Sequence, residues 1–61
     1  MPVIVFEGPK MKTSQKAELV RSLTETASKI TQIRTEAFTI IIKENERENI
    51  GVGGQLLSER K

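Results

Sequence analysis

The alternation of apolar and polar positions predicts two strands separated by a helix. Residues 2–6 form a nearly continuous apolar run, which is typical of a strand buried on both faces. Residues 38–43 contain three consecutive isoleucines and predict a second strand of the same kind. Between them, apolar residues recur with spacings of 3, 4 and 3, which predicts a helix with one apolar face: Val20, Leu23, Ala27 and Ile30, with Leu19 widening the stripe.

Polar and helix-breaking residues set the limits of these elements. Residues 7–12 carry a Gly-Pro pair and three charges, so we expect a loop there. Thr13 or Ser14 is suited to cap the start of the helix, because either hydroxyl can accept a bond from an unpaired backbone amide. We expect the helix to end near Thr31 and Gln32, followed by a short connection over residues 33–37.

Strand, helix and strand in this length predict a right-handed βαβ unit with parallel strands, an α/β fold. Residues 44–49 are polar and predict a loop. Residues 50–57 contain three glycines in four positions, which favours a hairpin or a close approach of two backbones. This short β-element could pair with the sheet edge of a neighbouring copy, and residues 58–61 read as a polar tail. We interpret residues 1–61 as a single domain.

Chain length and composition predict that the fold is completed by association of copies. A core made by 61 residues is marginal, and the chain has no Cys for disulfides. One helix covers only one face of a two-stranded sheet, so the other face would expose valine and isoleucine to water. Both observations indicate an oligomer.

Composition also narrows the chemistry that the chain can perform. The sequence has no His, Cys, Tyr, Trp or Asp, and a zinc or iron site is therefore not expected. The amino terminus is the only group that ordinarily titrates near neutral pH. Trimming of Met1 would leave Pro2 as a rigid secondary amine at the head of a strand, which makes it the best-placed general base. A perturbed Glu or Lys is the alternative.

Charge argues against two classes of partner. A net charge of +2 with 30% charged residues of mixed sign is not the pattern of a nucleic-acid binder. There is also no Tyr or Trp on which bases could stack. No apolar run is long enough to cross a bilayer, and the start of the chain lacks the basic segment of a signal peptide. We expect a cytoplasmic protein that binds neither nucleic acid nor membrane.

Several motifs together resemble a known family. The chain begins Met-Pro-strand, has a Gln15-Lys16 pair near the helix start, and carries Ile-Gly-Val-Gly-Gly-Gln-Leu over residues 50–56. It resembles the 4-oxalocrotonate tautomerase family along its whole length, and the Gly-Pro-Lys of residues 8–10 is similar to a subgroup of small bacterial and archaeal members. The resemblance implies the tautomerase fold in a homohexamer built as a trimer of dimers.

The same resemblance implies a reaction. In the family, the amino-terminal proline acts as general base without a metal or organic cofactor. It moves a proton between the hydroxyl or α-carbon and another carbon of a small enol or keto acid, such as a 2-hydroxydienoate. This implies that Pro2 is the catalytic residue here.

Carried onto this chain, the family's substrate-binding positions are changed. Lys10 and Lys12 flank the position of a family arginine that binds a substrate carboxylate, Thr39 replaces an arginine contributed by a neighbouring subunit, and Ile50 replaces an aromatic wall. The two lysines and the threonine also have a plainer interpretation: solvated loop charges for the lysines and strand packing for the threonine. The cations that could compensate are Arg34, Lys43 and Arg47. The changes leave open a second function, a non-catalytic oligomeric binding module on the same fold.

Overall fold

The computed structural model describes residues 1–60. Its longer elements are a strand, a helix and a second strand: β1 (Val3–Gly8), α1 (Thr13–Thr31) and β2 (Thr39–Glu44). A hairpin of two short strands follows, β3 (Gly51–Val52) and β4 (Gln55–Leu56). Single 3₁₀ turns occupy the connections, at Thr35–Ala37, Arg47–Asn49 and Leu57–Glu59.

β1 and β2 form a parallel two-stranded sheet, which confirms the predicted βαβ unit. Val3 lies opposite Thr39 at one end, and Gly8 lies opposite Glu44 at the other. The pairing continues past both ends, because the Thr39 amide donates to the Pro2 carbonyl at 3.0 Å and the Asn45 amide donates to the Gly8 carbonyl at 2.8 Å. Each strand starts one residue later than the apolar pattern predicts. β1 also extends through Glu7 and Gly8, which were predicted to belong to the loop.

The helix ends as predicted but begins differently. Gln32 takes the left-handed conformation, with φ 60°, and its amide donates to the Ser28 carbonyl at 2.8 Å. At the start, the prediction of a Thr13 or Ser14 cap is wrong, since both residues lie inside the helix. Lys12 occupies the capping position, and its amide donates to the side-chain oxygen of Gln15 at 3.0 Å. The side chain of the third helical residue thus satisfies the amide of the capping residue, which is one of the two bonds of a capping box.

The helix covers one face of the sheet and leaves the other open. Alternate side chains of β1 and β2 face the helix and are half-buried: Ile4, Phe6, Ile40 and Ile42. On the opposite face Val3, Val5 and Ile41 are 52%, 49% and 41% exposed. Ile30 departs from the predicted helix stripe, since 75% of its surface is exposed near the helix end.

Within one chain, none of the described residues is buried. The radius of gyration is 14.9 Å, whereas a compact domain of this length would have about 10.5 Å. The shape is correspondingly long and thin, 43 × 24 × 15 Å. A single copy therefore lacks the enclosed core from which a domain of this size gains its stability.

The C-terminal segment forms the hairpin that was one of its two predicted structures. β3 and β4 pair antiparallel across Gly53 and Gly54, whose φ values are 64° and 85°. Positive φ at both central residues defines the tight turn that matches strand twist, and glycine adopts it without strain. β4 packs against the 3₁₀ turn at Arg47–Asn49, and that turn packs against the one at Leu57–Glu59. The turn at Leu57–Glu59 takes up most of the predicted tail, and Lys61 lies outside the described residues.

Candidate active site

Pro2 lies at the amino end of β1, where the neighbouring strand fixes its backbone. Its carbonyl accepts the Thr39 amide at 3.0 Å, and the residue is half-buried. Met1 before it is 93% exposed, so its removal disturbs no packing. While Met1 is attached, the Pro2 nitrogen is an amide without basicity. Removal of Met1 would expose a secondary amine whose ring restricts the direction of its lone pair.

Thr39 is the predicted site residue that the structure brings next to Pro2. It begins β2 opposite Val3, and its side chain is exposed on the face of the sheet that the helix does not cover. A hydroxyl here can donate one hydrogen bond to a substrate oxygen but carries no charge.

Lys10 and Lys12 lie at the other end of β1. They belong to the loop of residues 9–12, which we call the lysine loop, and both are exposed. The six residues of β1 (Val3–Gly8) separate this loop from Pro2 by about 20 Å. One chain therefore does not bring these lysines to its own Pro2.

Ile50 belongs to the hairpin segment, beyond the far end of β2. It is half-buried, and its carbonyl accepts the Leu57 amide at 2.8 Å. Its own amide donates to the Arg47 carbonyl at 3.3 Å, so its backbone is held at the end of the chain's sheet that lies away from Pro2.

The three candidate compensating cations occupy different environments. The guanidinium of Arg47 donates to the Leu57 carbonyl at 2.7 Å, which ties it into the hairpin. Lys43 lies opposite Glu7 near the far end of the sheet. Arg34 precedes the 3₁₀ turn that leads into Thr39, at the Pro2 end, with 84% of its side chain exposed and a 3.6 Å ion pair to Glu36.

A polar cluster at the carboxyl ends of the strands holds the lysine loop. One oxygen of Glu44, Oε2, accepts the Met11 amide at 2.9 Å and lies 3.0 Å from the Lys16 ammonium. The Met11 amide and, after it, the Lys16 ammonium hold the pKa of Glu44 below its ordinary value. Both partners favour the charged carboxylate because they donate to it.

A groove of about 360 Å³ lies between β1, the lysine loop and α1. It is largely apolar and is lined by side chains of β1, the lysine loop and the helix: Phe6, Met11, Gln15, Glu18, Leu19 and Ser22. The groove contains neither Pro2 nor Thr39. We therefore separate it from the candidate catalytic position.

With this geometry established, comparison with known proteins decides the family. The model of the tautomerase family, described as tautomerase enzyme, matches residues 2–60. The chain belongs to the tautomerase family. Its fold is thus that of a family member, as the sequence motifs predicted.

Solved structures of relatives match this member of the family along nearly its whole chain. DmpI from Archaeoglobus fulgidus is 41% identical with a TM-score of 0.86, covering 95% of this chain and 100% of that one. A 4-oxalocrotonate tautomerase homologue is 32% identical with a TM-score of 0.87, covering 100% and 98%. A heterohexamer 4-oxalocrotonate tautomerase from Chloroflexus aurantiacus is 26% identical with a TM-score of 0.82, covering 100% and 98%. No curated protein matches the sequence.

One residue that contacts the lysine loop was missed by sequence reasoning. Glu44 was included in a polar loop, although it ends β2 and reaches the lysine loop. The signal that could have identified it is topological: parallel strands end at the same edge of a sheet, so an acid directly after the second strand lies beside the loop that leaves the first. Among residues 1–60, no helix is long and apolar enough to cross a membrane.

Proposed function

We propose that the chain, as a single domain of residues 1–61, is a cofactor-independent keto–enol tautomerase. Its substrate is a 2-hydroxydienoate or a related enol acid, and Pro2 is its general base. The observation that carries this proposal is the family match over residues 2–60, with a proline at residue 2 whose backbone the second strand fixes.

The chemistry follows from a neutral amine at Pro2. Once Met1 is removed, the prolyl nitrogen takes a proton from the enol hydroxyl or an α-carbon and becomes an ammonium. It returns that proton to another carbon of the conjugated system, so the substrate isomerises and the base is regenerated. Well-placed general bases of this kind contribute about 10²–10⁴-fold in rate.

The substrate carboxylate needs cations that Pro2's own chain does not hold beside it. Lys10 and Lys12 lie at the far end of β1. Among the described residues β1 pairs only with β2, so its other edge is open for pairing with a second copy. An antiparallel copy along that edge would bring its own lysine loop next to Pro2, because the two ends of the strand then exchange positions. The complete site is therefore shared between copies, with Lys10 and Lys12 from the neighbour.

Self-association also supplies the missing core. The exposed face with Val3, Val5 and Ile41 is buried when copies pack sheet against sheet, and the hairpin reaches a neighbouring edge. The proposed assembly is a homohexamer built as a trimer of dimers. The Chloroflexus aurantiacus relative is a heterohexamer, which agrees with six chains as the unit of assembly.

Arg34 is the favoured replacement for the arginine that Thr39 lacks. It is the compensating cation that lies at the Pro2 end of its own chain, and its ion pair with Glu36 is long and exposed. Such a pair contributes little and is readily exchanged for a ligand carboxylate. Thr39 and Ile50 then shape the pocket without supplying charge.

The alternative is a non-catalytic oligomeric binding module on the same fold. The observation that favours it is the loss of a cation at Thr39 and of an aromatic ring at Ile50. Loss of one stabilising group for a developing enolate can cost about 10²–10³ in rate. A module of this kind would bind enol acids without converting them.

A three-way comparison of terminal forms tests the proposal. Ketonisation of phenylenolpyruvate or 2-hydroxymuconate is followed with the processed protein, a Pro2→Ala variant, and a form that keeps Met1. We expect activity in the processed protein only, with at least a 100-fold loss in the other two. Equal rates in all three forms would overturn Pro2 as base, and binding without turnover would establish the alternative.

A further inference from the structure

The lysine loop is held to the rest of the chain by groups that take no part in the proposed reaction. Glu44 holds its middle through the Met11 amide at 2.9 Å. Asn45 holds the preceding residues, since its backbone amide donates to the Gly8 carbonyl at 2.8 Å and its side chain donates to Glu7 at 3.1 Å. A loop without regular structure is thus anchored to the end of β2.

The same glutamate determines which lysines remain available. The Lys16 ammonium lies 3.0 Å from the Glu44 oxygen, so its charge is compensated. In the part of the chain that the structure describes, neither Lys10 nor Lys12 belongs to an ion pair, although the charge of Lys10 also helps to lower the pKa of Glu44. These two lysines flank Met11 directly, and a fixed Met11 amide therefore fixes the backbone that carries both.

We propose that Glu44 is a positioning residue for substrate binding, which acts through Met11 to hold Lys10 and Lys12 for the substrate carboxylate. The inference rests on the proposed function. Glu44 Oε2 is already engaged by the Met11 amide and the Lys16 ammonium, so we assign it no contact with the substrate. An ordered loop loses less conformational freedom when the ligand binds, so its anchoring strengthens binding.

This role predicts a specific kinetic signature. The substrate carboxylate keeps its charge throughout the reaction. Contacts of Lys10 and Lys12 with it therefore stabilise the bound substrate and the transition state alike. A loss of uniform binding raises KM and leaves kcat unchanged. We expect Glu44→Ala to raise KM for a 2-hydroxydienoate about tenfold, with kcat within about twofold of the wild type.

Matched variants separate the two partners of Glu44. Lys16→Met removes the ion pair but keeps the Met11 bond, and we expect KM within about threefold of the wild type. Glu44→Gln keeps an acceptor for Met11 without the charge, and we expect an intermediate KM. Glu25→Ala removes another helix ion pair, between Arg21 and Glu25 at 3.7 Å, and serves as the control without effect. Sedimentation of every variant verifies that assembly is intact.

A double-mutant cycle distinguishes positioning from general support of the fold. If Glu44 acts through the lysines, Glu44→Ala raises KM in the wild type but not in a Lys10→Gln, Lys12→Gln background. Amide hydrogen exchange gives an independent readout, and we expect the protection of Met11 to fall at least tenfold in Glu44→Ala. A KM increase that persists without the two lysines overturns the proposal, as does unchanged Met11 protection.

An inert dicarboxylate separates failure of this inference from failure of the proposed function. Fumarate is titrated against the protein while the Met11 and Lys12 amide resonances are followed. If the wild type binds fumarate but converts no enol acid, the proposed function fails, and about tenfold weaker binding in Glu44→Ala still supports the positioning role. Equal affinity in the two proteins, or no fumarate binding by the wild type, overturns it.

Discussion

A charge placed on the uncovered sheet face should dissociate the assembly. Val5 lies at the centre of this face, between Val3 and the cross-strand partner Ile41, and is 49% exposed in one chain. The perturbation is Val5→Lys. Since no described side chain is buried within one copy, loss of association should also unfold the chain.

The magnitude follows from the exposed fractions. Complete burial of a valine or isoleucine side chain is worth about 1.5–3 kcal/mol. Val3, Val5 and Ile41 leave 52%, 49% and 41% of their surface for a partner, so each contributes about 1 kcal/mol on association. Val5→Lys forfeits one such contribution and adds the burial of an ammonium, which costs several kcal/mol. The association constant of each contact between two copies should therefore fall by more than about 100-fold.

Sedimentation at several protein concentrations measures the effect, with circular dichroism to follow folding. Glu25→Lys is the control: its side chain is 63% exposed on the outer side of the helix, and it changes net charge by more than Val5→Lys does. We expect the wild type and the control to sediment as one large species and Val5→Lys to sediment as a lighter, unfolded one. The reasoning is refuted if the wild type is a folded monomer of 6.8 kDa or if Val5→Lys assembles normally.

Three further predictions concern substrate charge, the hairpin turn and pH. Arg34→Gln should lower kcat/KM for an enol acid at least tenfold, whereas Arg21→Gln, the removal of another exposed ion-paired arginine, should leave it unchanged in the same steady-state assay; equal effects would exclude a substrate contact. Gly54→Ala should destabilise the protein by about 1–2 kcal/mol, because its φ is 85°. Gly51→Ala, whose new Cβ would meet only the Gln55 carbonyl at 3.8 Å, should shift the thermal midpoint much less, and equal shifts would contradict the strain argument. The pKa of Glu44 is depressed by the Met11 amide and Lys16 from 4.5, so its stabilisation is fully present above pH 4.5 and is lost as pH falls through the lower folded value. The protection factor of the Met11 amide should fall in that range, and this fall should be absent in Glu44→Gln.

The fold was predictable because one simple arrangement of strands and helix accounts for the whole apolar pattern. Two short, nearly continuous apolar runs, joined by a helix with one apolar face, favour parallel strands joined by a crossover helix. The strand limits were less predictable, since Glu7 and Gly8 contribute no apolar side chain while their backbone continues the ladder to Asn45. The predicted helix cap was wrong because the helix already includes Thr13 and Ser14, so the capping position falls on Lys12. The Lys12 amide donates to the side chain of Gln15, a bond that the hydroxyl pattern does not indicate.

The candidate site was predictable only in part. Pro2 could be chosen as the candidate general base from composition, because the chain offers few groups that titrate near neutral pH. The contact between Glu44 and Met11 spans 33 positions, and it depends on a strand register that composition does not encode. The separation of the lysine loop from Pro2 follows from strand length, which becomes meaningful only once both elements are placed.

Because one copy has no enclosed core among its described residues, we expect dilution to unfold the protein as heating does. If folding depends on association, the fraction of folded chains falls at low concentration, so we expect the apparent melting temperature to rise with concentration. We also expect newly made copies to be accessible to proteases until they assemble. We therefore expect a threshold of synthesis below which the protein does not accumulate, and a mutation that weakens contact between copies to shorten its lifetime before it changes its chemistry.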